Sequence, residues 1–312
     1  MPEPIAWLNG RLIPYSQAAL PVWDLGVVGG AAVTEMLRTF GHRVFRLDEH
    51  LDRLFDSVRA VGFPLEISRV QLAEALGDVV AQNAALIPPQ HDLGVITFVT
   101  AGGNLTYLGA AGREQARQCT VCVHTFPLPF ELWADRYQTG IHLATPATRA
   151  LPADVIDPRI KFRSRLHWQL ADREARLVDP AAQALLLDRE GYVTEAATGN
   201  VVAVHGDRLL TPSHVRSLAG VSLQVVDELA APLGLRVERG DWTMADFLNV
   251  SEIFLTSTPH CLLPVTRLNS QPVGNGRPGP MTATLLEAWN SLVGLDITAQ
   301  MQQGARDRIS AR

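Results

Sequence analysis

The stretch Phe126-Pro127-Leu128-Pro129-Phe130 divides this chain. Each proline lacks an N–H and pushes the residue before it into extended backbone, so a strand reaching this point stops and an extended connector follows. The chain has 312 residues, more than one hydrophobic core usually serves. The break therefore predicts two domains: a smaller α+β domain over 1–125, a connector over 126–137, and a larger domain over 138–312.

Local patterns fill in both halves. Asn9-Gly10 between the apolar runs of Ile5 to Ile13 predicts a hairpin. Leu51, Leu54, Phe55, Val58 and Val61 recur at helical spacing, with Asp48 as the expected N-cap and Gly62-Phe63-Pro64 as the stop. A second helix is expected over 68–85, then strands over 94–100 and 120–125 around a glycine-rich loop, 101–112. Beyond the connector the pattern predicts strands at 141–145, 184–188, 192–195, 201–205, 208–211 and 253–256. Helices are expected at 165–178, 221–233 and 281–293, the last as the final regular element before a disordered tail over 303–312.

With 47% hydrophobic and 19% charged residues the chain is an ordinary globular protein, and its net charge of −5 offers no field to collect nucleic acid or an anionic membrane. A small-molecule partner is expected. The opening MPEPIAWLNG shows no basic segment followed by an apolar one, and no run of about 18 apolar residues occurs, so a soluble cytoplasmic protein is expected. Three cysteines are too few for a disulfide framework. Cys119 and Cys122 form C-x-x-C within a β-branched run, where a spacing of three puts them on opposite strand faces. No second pair completes four zinc ligands, so no metal is expected.

Lys161 is the chain's one lysine among 27 basic residues. Arginine can replace lysine as a surface charge, but not as an amine that must lose its proton and attack a carbonyl. A single lysine can also survive by chance, so its neighbours decide. It lies in PRIKFRSRL, after a short extended segment. Glu195 ends a strand in GYVTEAATGN and Asn200 begins the next; an exposed hairpin tip would carry a carboxylate equally well. Gly220 precedes a helix whose first residues, Val221 and Ser222, offer unpaired N–H groups and a hydroxyl suited to phosphate, as does an ordinary capped helix. Ser257 and Thr258 end a buried strand with two more hydroxyls. Arg53, taken alone, is a solvated charge on an amphipathic helix.

Together these patches resemble the class IV aminotransferases, the pyridoxal-phosphate enzymes of fold type IV. The resemblance runs from Trp7 to Leu292, through WLNG (7–10), FRLDEHLDRL (45–54), Ile160-Lys161, ALLLDREGYVTEAATGN (184–200), Thr211-Pro212 and FLTSTPHCLLPV (254–265). It implies a two-domain α+β fold with the cofactor, pyridoxal 5′-phosphate, in the interdomain cleft and the larger domain as its principal binding domain. Lys161 is then similar to the Schiff-base lysine, Glu195 to the partner of the pyridine nitrogen, and Arg53 in H-x-x-R-L to the phosphate-binding arginine. Val221, Ser222 and Thr258 match phosphate-binding positions, and Asn200 organises the glutamate loop. A homodimer is implied as well.

The substrate side departs from the family pattern. In Asp24 to Arg38, Leu25, Val27, Gly29 and Thr34 stand where arginine, phenylalanine, tyrosine and phenylalanine are usual. Ala101 replaces an arginine of the D-amino acid members, and Leu166 replaces a tyrosine of the branched-chain enzymes. Thr34, Arg38 and Ser257 are the candidates for substrate contacts. The resemblance implies a transaminase that passes an amino group from an amino acid or amine to a keto acid. Two alternatives stay open. One is a lyase similar to aminodeoxychorismate lyase, which shares the K-x-x-x-R-L spacing of Lys161 to Leu166 and releases pyruvate; the other is a cofactor-binding protein without turnover.

Overall fold

The computed structural model describes residues 3–109, 112–116 and 118–310. Ala110 and Ala111 of the glycine-rich loop, and Ala311 and Arg312 of the tail, lie outside the described residues. The chain forms two compact units, Met1–Leu128 with Ile160–Ser164, and Pro129–Arg159 with Arg165–Arg312. A division into 1–125, 126–137 and 138–312 does not contain the five-residue excursion that carries Lys161.

The first unit begins with β1 (Ile5–Leu8) and β2 (Arg11–Pro14). Asn9 and Gly10 turn between them at φ 48° and 87°, the positive values a tight two-residue hairpin loop requires. β3 (Ala32–Phe40) and β4 (Arg43–Val44) lead into helices α1 (Leu47–Val61) and α2 (Arg69–Ala84), followed by β5 (Leu93–Thr100) and β6 (Val121–Pro127). The strands form an antiparallel sheet in the order β2-β1-β6-β5-β3-β4. Val33, Leu37, Val95, Val99, Val121 and Val123 line one face and pack on Leu51, Leu54, Val58, Leu72, Leu76 and Val79 of the helices.

Two local expectations are corrected here. The N-cap of α1 is Arg46, in the left-handed region, and Asp48 sits in the first turn, where its charge still complements the helix N-terminus. β6 continues through Phe126 to Pro127, because a proline that ends a strand interrupts none of its interior. β3 has no counterpart in the sequence reading. Glu35, Arg38 and Thr39 break its apolar pattern, yet all three are buried and paired.

The Ile160–Ser164 segment lies along the edge of β3. Thr34 N–H donates to the Lys161 carbonyl at 2.9 Å, Arg163 N–H to the Ala32 carbonyl at 2.8 Å, and Phe162 stands opposite Val33. Gly30, at φ 66°, gives it room: a Cβ there would meet Ser164 Oγ at 2.7 Å.

The second unit contains β7 (Ile141–Ala144), α3 (Leu166–Val178), β8 (Ala182–Leu187), β9 (Val193–Ala196), β10 (Asn200–His205) and β11 (Arg208–Pro212). After these come α4 (Val221–Ala230), β12 (Arg236–Gly240), β13 (Glu252–Ser257), β14 (Cys261–Leu268), β15 (Gln271–Pro272), α5 (Pro280–Val293) and α6 (Ile297–Ser310). Its nine strands run β12-β11-β10-β13-β14-β7-β8-β9, with β15 paired to β14. Trp168, Ala171 and Ala175 of α3 pack with Ala182, Ala184 and Leu186 of β8.

Helix α6 overturns the expectation of a disordered tail. Ile297, Met301 and Ala305 are buried at helical spacing, and Gly304 lies flat against the Phe130 ring. Arg308 pairs with Glu131 at 2.9 Å. A largely polar segment is thus held by three apolar residues and one close approach. Among the described residues no helix is long and apolar enough to cross a membrane.

Candidate functional site

Helix α1 turns one face toward Lys161. His50, Arg53 and Ser57, at spacings of three and four, fall on the face that also buries Leu54. Ser57 Oγ accepts the Lys161 N–H at 3.1 Å and donates to the Arg53 carbonyl at 2.9 Å. With the Thr34 N–H on its carbonyl, the backbone of Lys161 is held from both sides by elements distant in sequence. Phe162 N–H also reaches back to the Ile160 carbonyl, centring a tight three-residue turn on Lys161.

Arg53 is not a solvated charge. Its side chain is 11% exposed, and its Nε and Nη2 meet both oxygens of Glu35 at 2.8 and 2.7 Å. Glu35 is wholly buried, with His50 Nδ1 3.1 Å away. Burial works to raise the Glu35 pKa, but the Arg53 guanidinium and His50 overcome it and hold the carboxyl well below the usual range. His50 is pushed down by burial; Glu35 opposes this, and Arg53 and Lys161 add to it. The planar guanidinium is thus locked in orientation by two parallel charge-assisted bonds.

In the second unit one loop ties the remaining candidates together. Leu218 N–H donates to Glu195 Oε2 at 3.0 Å, and the Leu218 carbonyl accepts from Asn200 Nδ2 at 2.8 Å. Two residues later Gly220 caps α4 without any side-chain cap, so the first-turn N–H groups of Val221 and Ser222 are not claimed by an N-cap side chain. Asn200 and Gly220 are in close approach: a Cβ on Gly220 would lie 2.0 Å from Asn200 Oδ1. Asn200 also pairs with Thr256 across β10 and β13, which brings Ser257 and the following turn residue, Thr258, to the same end of the sheet. The Leu218 main chain thus ties the Glu195 carboxylate and the Asn200 amide to the loop that leads into α4.

The candidates therefore fall into two groups, Lys161, Arg53 and Thr34 in the first unit and Glu195, Asn200, Val221, Ser222, Ser257 and Thr258 in the second. Arg38 joins neither. It is 1% exposed, donates to the Thr39 carbonyl at 3.1 Å, lies 3.8 Å from Asp92 and stacks on the Phe40 ring at 3.8 Å. Its candidacy as a substrate contact is withdrawn, because a guanidinium so enclosed presents no surface to a ligand. Cys119 and Cys122 are free thiols whose pKa burial pushes up to about 11, so neither is primed for redox chemistry.

The family model for amino-transferase class IV matches residues 32–268. The chain belongs to the class IV aminotransferases. It is 30% identical over 288 residues to branched-chain-amino-acid aminotransferase-like protein 1 of Arabidopsis thaliana, covering 92% of this chain and 50% of that one. The chain thus spans about half the length of that relative. To the D-alanine aminotransferase of Bacillus licheniformis it is 29% identical over 282 residues, 90% of this chain and 94% of the other. The branched-chain amino acid aminotransferase of Escherichia coli superimposes with a TM-score of 0.84 at 25% identity, over 94% of this chain and 95% of that one. The fold is therefore that of the fold type IV enzymes.

In this class IV chain sequence reasoning missed Glu35 as the partner of Arg53, His50 and Ser57 as residues of the same helix face, and Leu218 as the backbone bridge. The spacing of His50, Arg53 and Ser57 was a signal, since polar groups on the apolar face of a helix need partners. Nothing in the sequence pointed to Leu218, whose contribution is entirely main chain.

Proposed function

We propose that this class IV protein is a pyridoxal-phosphate-dependent aminotransferase that moves an amino group between an amino acid or amine and a keto acid. The observation that carries the proposal is Lys161, the chain's one lysine, held through its own N–H and carbonyl by Ser57 and Thr34. A backbone so tightly held aims a side chain reproducibly, which a surface charge does not need.

The residues fit the cofactor. By the family resemblance, Lys161 Nζ would hold it covalently and Arg53 its phosphate from the first unit, while in the second unit the helix start at Val221 and Ser222 and the Thr258 hydroxyl are the phosphate-binding counterparts and Glu195 that of the ring nitrogen. When bound, the cofactor supplies an aldehyde that captures the amino group and a ring that accepts electrons. Lys161, its amine released when the substrate nitrogen takes its place on the cofactor, would act as the base, moving a proton from the substrate Cα to the former aldehyde carbon and, in the reverse half-reaction, back again. Leu218 N–H keeps the Glu195 carboxylate aligned, and Asn200 holds the same loop from its other side. Glu35 keeps the Arg53 fork from rotating. A homodimer, which rests on the family resemblance, acting in the cytoplasm completes the proposal.

Purified protein given pyridoxal phosphate is expected to turn yellow, and borohydride is expected to fix one pyridoxyl group on the peptide containing Lys161. Colourless protein, or a label elsewhere, would overturn the proposal. L-Alanine, L-leucine or D-alanine added singly to the loaded enzyme should then give the spectrum of the aminated cofactor, and 2-oxoglutarate added afterwards should restore the original spectrum. Pyruvate release from aminodeoxychorismate, with no half-reaction on any amino acid, would instead make the protein a lyase.

A further inference from the structure

The face of the first sheet away from its helices holds an unmatched cation. Antiparallel register places Thr34, Phe98 and Cys122 side by side across β3, β5 and β6, and Met36, Ile96 and His124 in the next row. Cys122 is buried and the other five are half-buried. Arg163 reaches onto this face. Its Nη1 donates to Thr34 Oγ1 at 3.1 Å, and its guanidinium lies 4.9 Å from the centre of the Phe98 ring. The Thr34 hydroxyl donates onward to the Thr97 carbonyl at 3.0 Å, which leaves its oxygen turned to accept from Arg163.

Among the described residues no carboxylate pairs with Arg163. Arg216, by contrast, is met by Asp188, Glu190 and Asp241. Burial lowers the Arg163 pKa, opposed only by the Cys122 thiol, and Arg163 helps burial to push down His124 beside it. More than a third of the Arg163 surface nevertheless remains open. A guanidinium among neutral walls, with one of its five N–H groups spent on a hydroxyl, is an incomplete arrangement that a planar anion completes.

Position supplies the chemistry. Arg163 is two residues from Lys161, so their Cα atoms are at most about 7 Å apart. Thr34 links them, its N–H on the Lys161 carbonyl and its hydroxyl on Arg163. An anion held here lies within side-chain reach of the reactive amine, and every amino acid and keto acid carries such an anion. We infer that Arg163 binds the carboxylate of the substrate, with Thr34 orienting the guanidinium and Phe98 forming the wall behind it. The inference rests on the aminotransferase reading and gives the substrate anion a guanidinium in a chain where Ala101 stands in place of the arginine of the D-amino acid members.

The test uses the cofactor-loaded enzyme and its Arg163→Leu and Arg163→Lys variants, each first checked for the absorbance of the lysine-bound cofactor. Half-reactions are followed with alanine of whichever hand the enzyme accepts, with glutamate, and with 2-butylamine, which has no carboxylate. Arg163→Leu should raise KM for the amino acids about 10- to 100-fold relative to 2-butylamine, the loss expected for a charge-assisted hydrogen bond. Arg163→Lys should recover part of it. A rise for alanine identifies the α-carboxylate, and a rise for glutamate alone identifies the distal one. Propionate and glutarate, as competitive inhibitors, should weaken in parallel with the substrates they mimic. Unchanged KM and inhibition in a variant that keeps the cofactor absorbance would overturn the inference while leaving the aminotransferase reading intact. Failure of the unmodified protein to capture the cofactor would overturn both.

Discussion

Glu35 meets the edge of the Arg53 guanidinium with both oxygens and has His50 Nδ1 3.1 Å from one of them, so the charges of the three are coupled. Replacing Glu35 by Gln leaves Arg53 without its counter-charge in a largely dry setting. The expected cost is about 3–5 kcal/mol of stability, measured as a lowered urea midpoint, together with weaker cofactor retention. His50 makes the stability depend on pH. Its folded pKa is depressed, so below about 6.5 an unfolded chain binds a proton that the folded site refuses. The stability is fully present above that value and is lost as pH falls, by at most about 1.4 kcal/mol per pH unit. Glu35, also depressed, adds a further loss as pH falls below about 4.5. Denaturant titrations at pH 7, 6 and 5 should show a steep decline in the parent and a flatter one in His50→Gln; equal slopes would remove His50 from the explanation. Arg53 could be chosen from its motif, but its partner could not. Glu35 is 18 positions away on a strand whose apolar alternation it interrupts.

At the scale of elements, helix starts and strand ends do the positioning. The start of α4 is set by Gly220, which has ordinary φ of −70° and is required for space rather than for backbone freedom. Gly220→Ala should therefore act through the collision with Asn200 Oδ1, displacing the loop that also aligns Glu195. A loss of about 1–3 kcal/mol is expected, the usual effect of overpacking, with faster cofactor release in a dilution assay. Asn200→Ala in the same chain should relieve part of the stability loss, since the clashing atom is gone. The helices α1, α2, α3 and α5 were legible because their apolar residues recur at helical spacing. The Asn9-Gly10 hairpin was legible because its turn demands positive φ at both residues. β3 was not, because buried Glu35, Arg38 and Thr39 imitate an exposed segment until their partners are known. α6 was missed for the opposite reason, since its few apolar residues looked insufficient without Phe130 to pack against.

At the scale of the whole molecule, a ligand that binds only the folded chain must stabilise it. At a free cofactor concentration 100 times the dissociation constant the gain is about 2.7 kcal/mol, so stripping pyridoxal phosphate should lower Tm by several degrees and adding it back should restore the loss. An unchanged Tm would argue against specific binding. The hairpins, most of the helices and the family could be read from the chain, because turn chemistry, periodicity and motifs act over a few neighbouring positions, and composition singled out Lys161 as its one lysine. Only the tertiary structure decided that Ile160–Ser164 lies on the first unit, that Arg38 is enclosed and that Arg163 meets Thr34 and Phe98. These outcomes depend on contacts between residues far apart in the chain, 104 positions for Lys161 and Ser57 and 129 for Arg163 and Thr34. A polar side chain carries no local mark of whether its partner will be water, another residue or a substrate, since that is settled by what folding brings beside it.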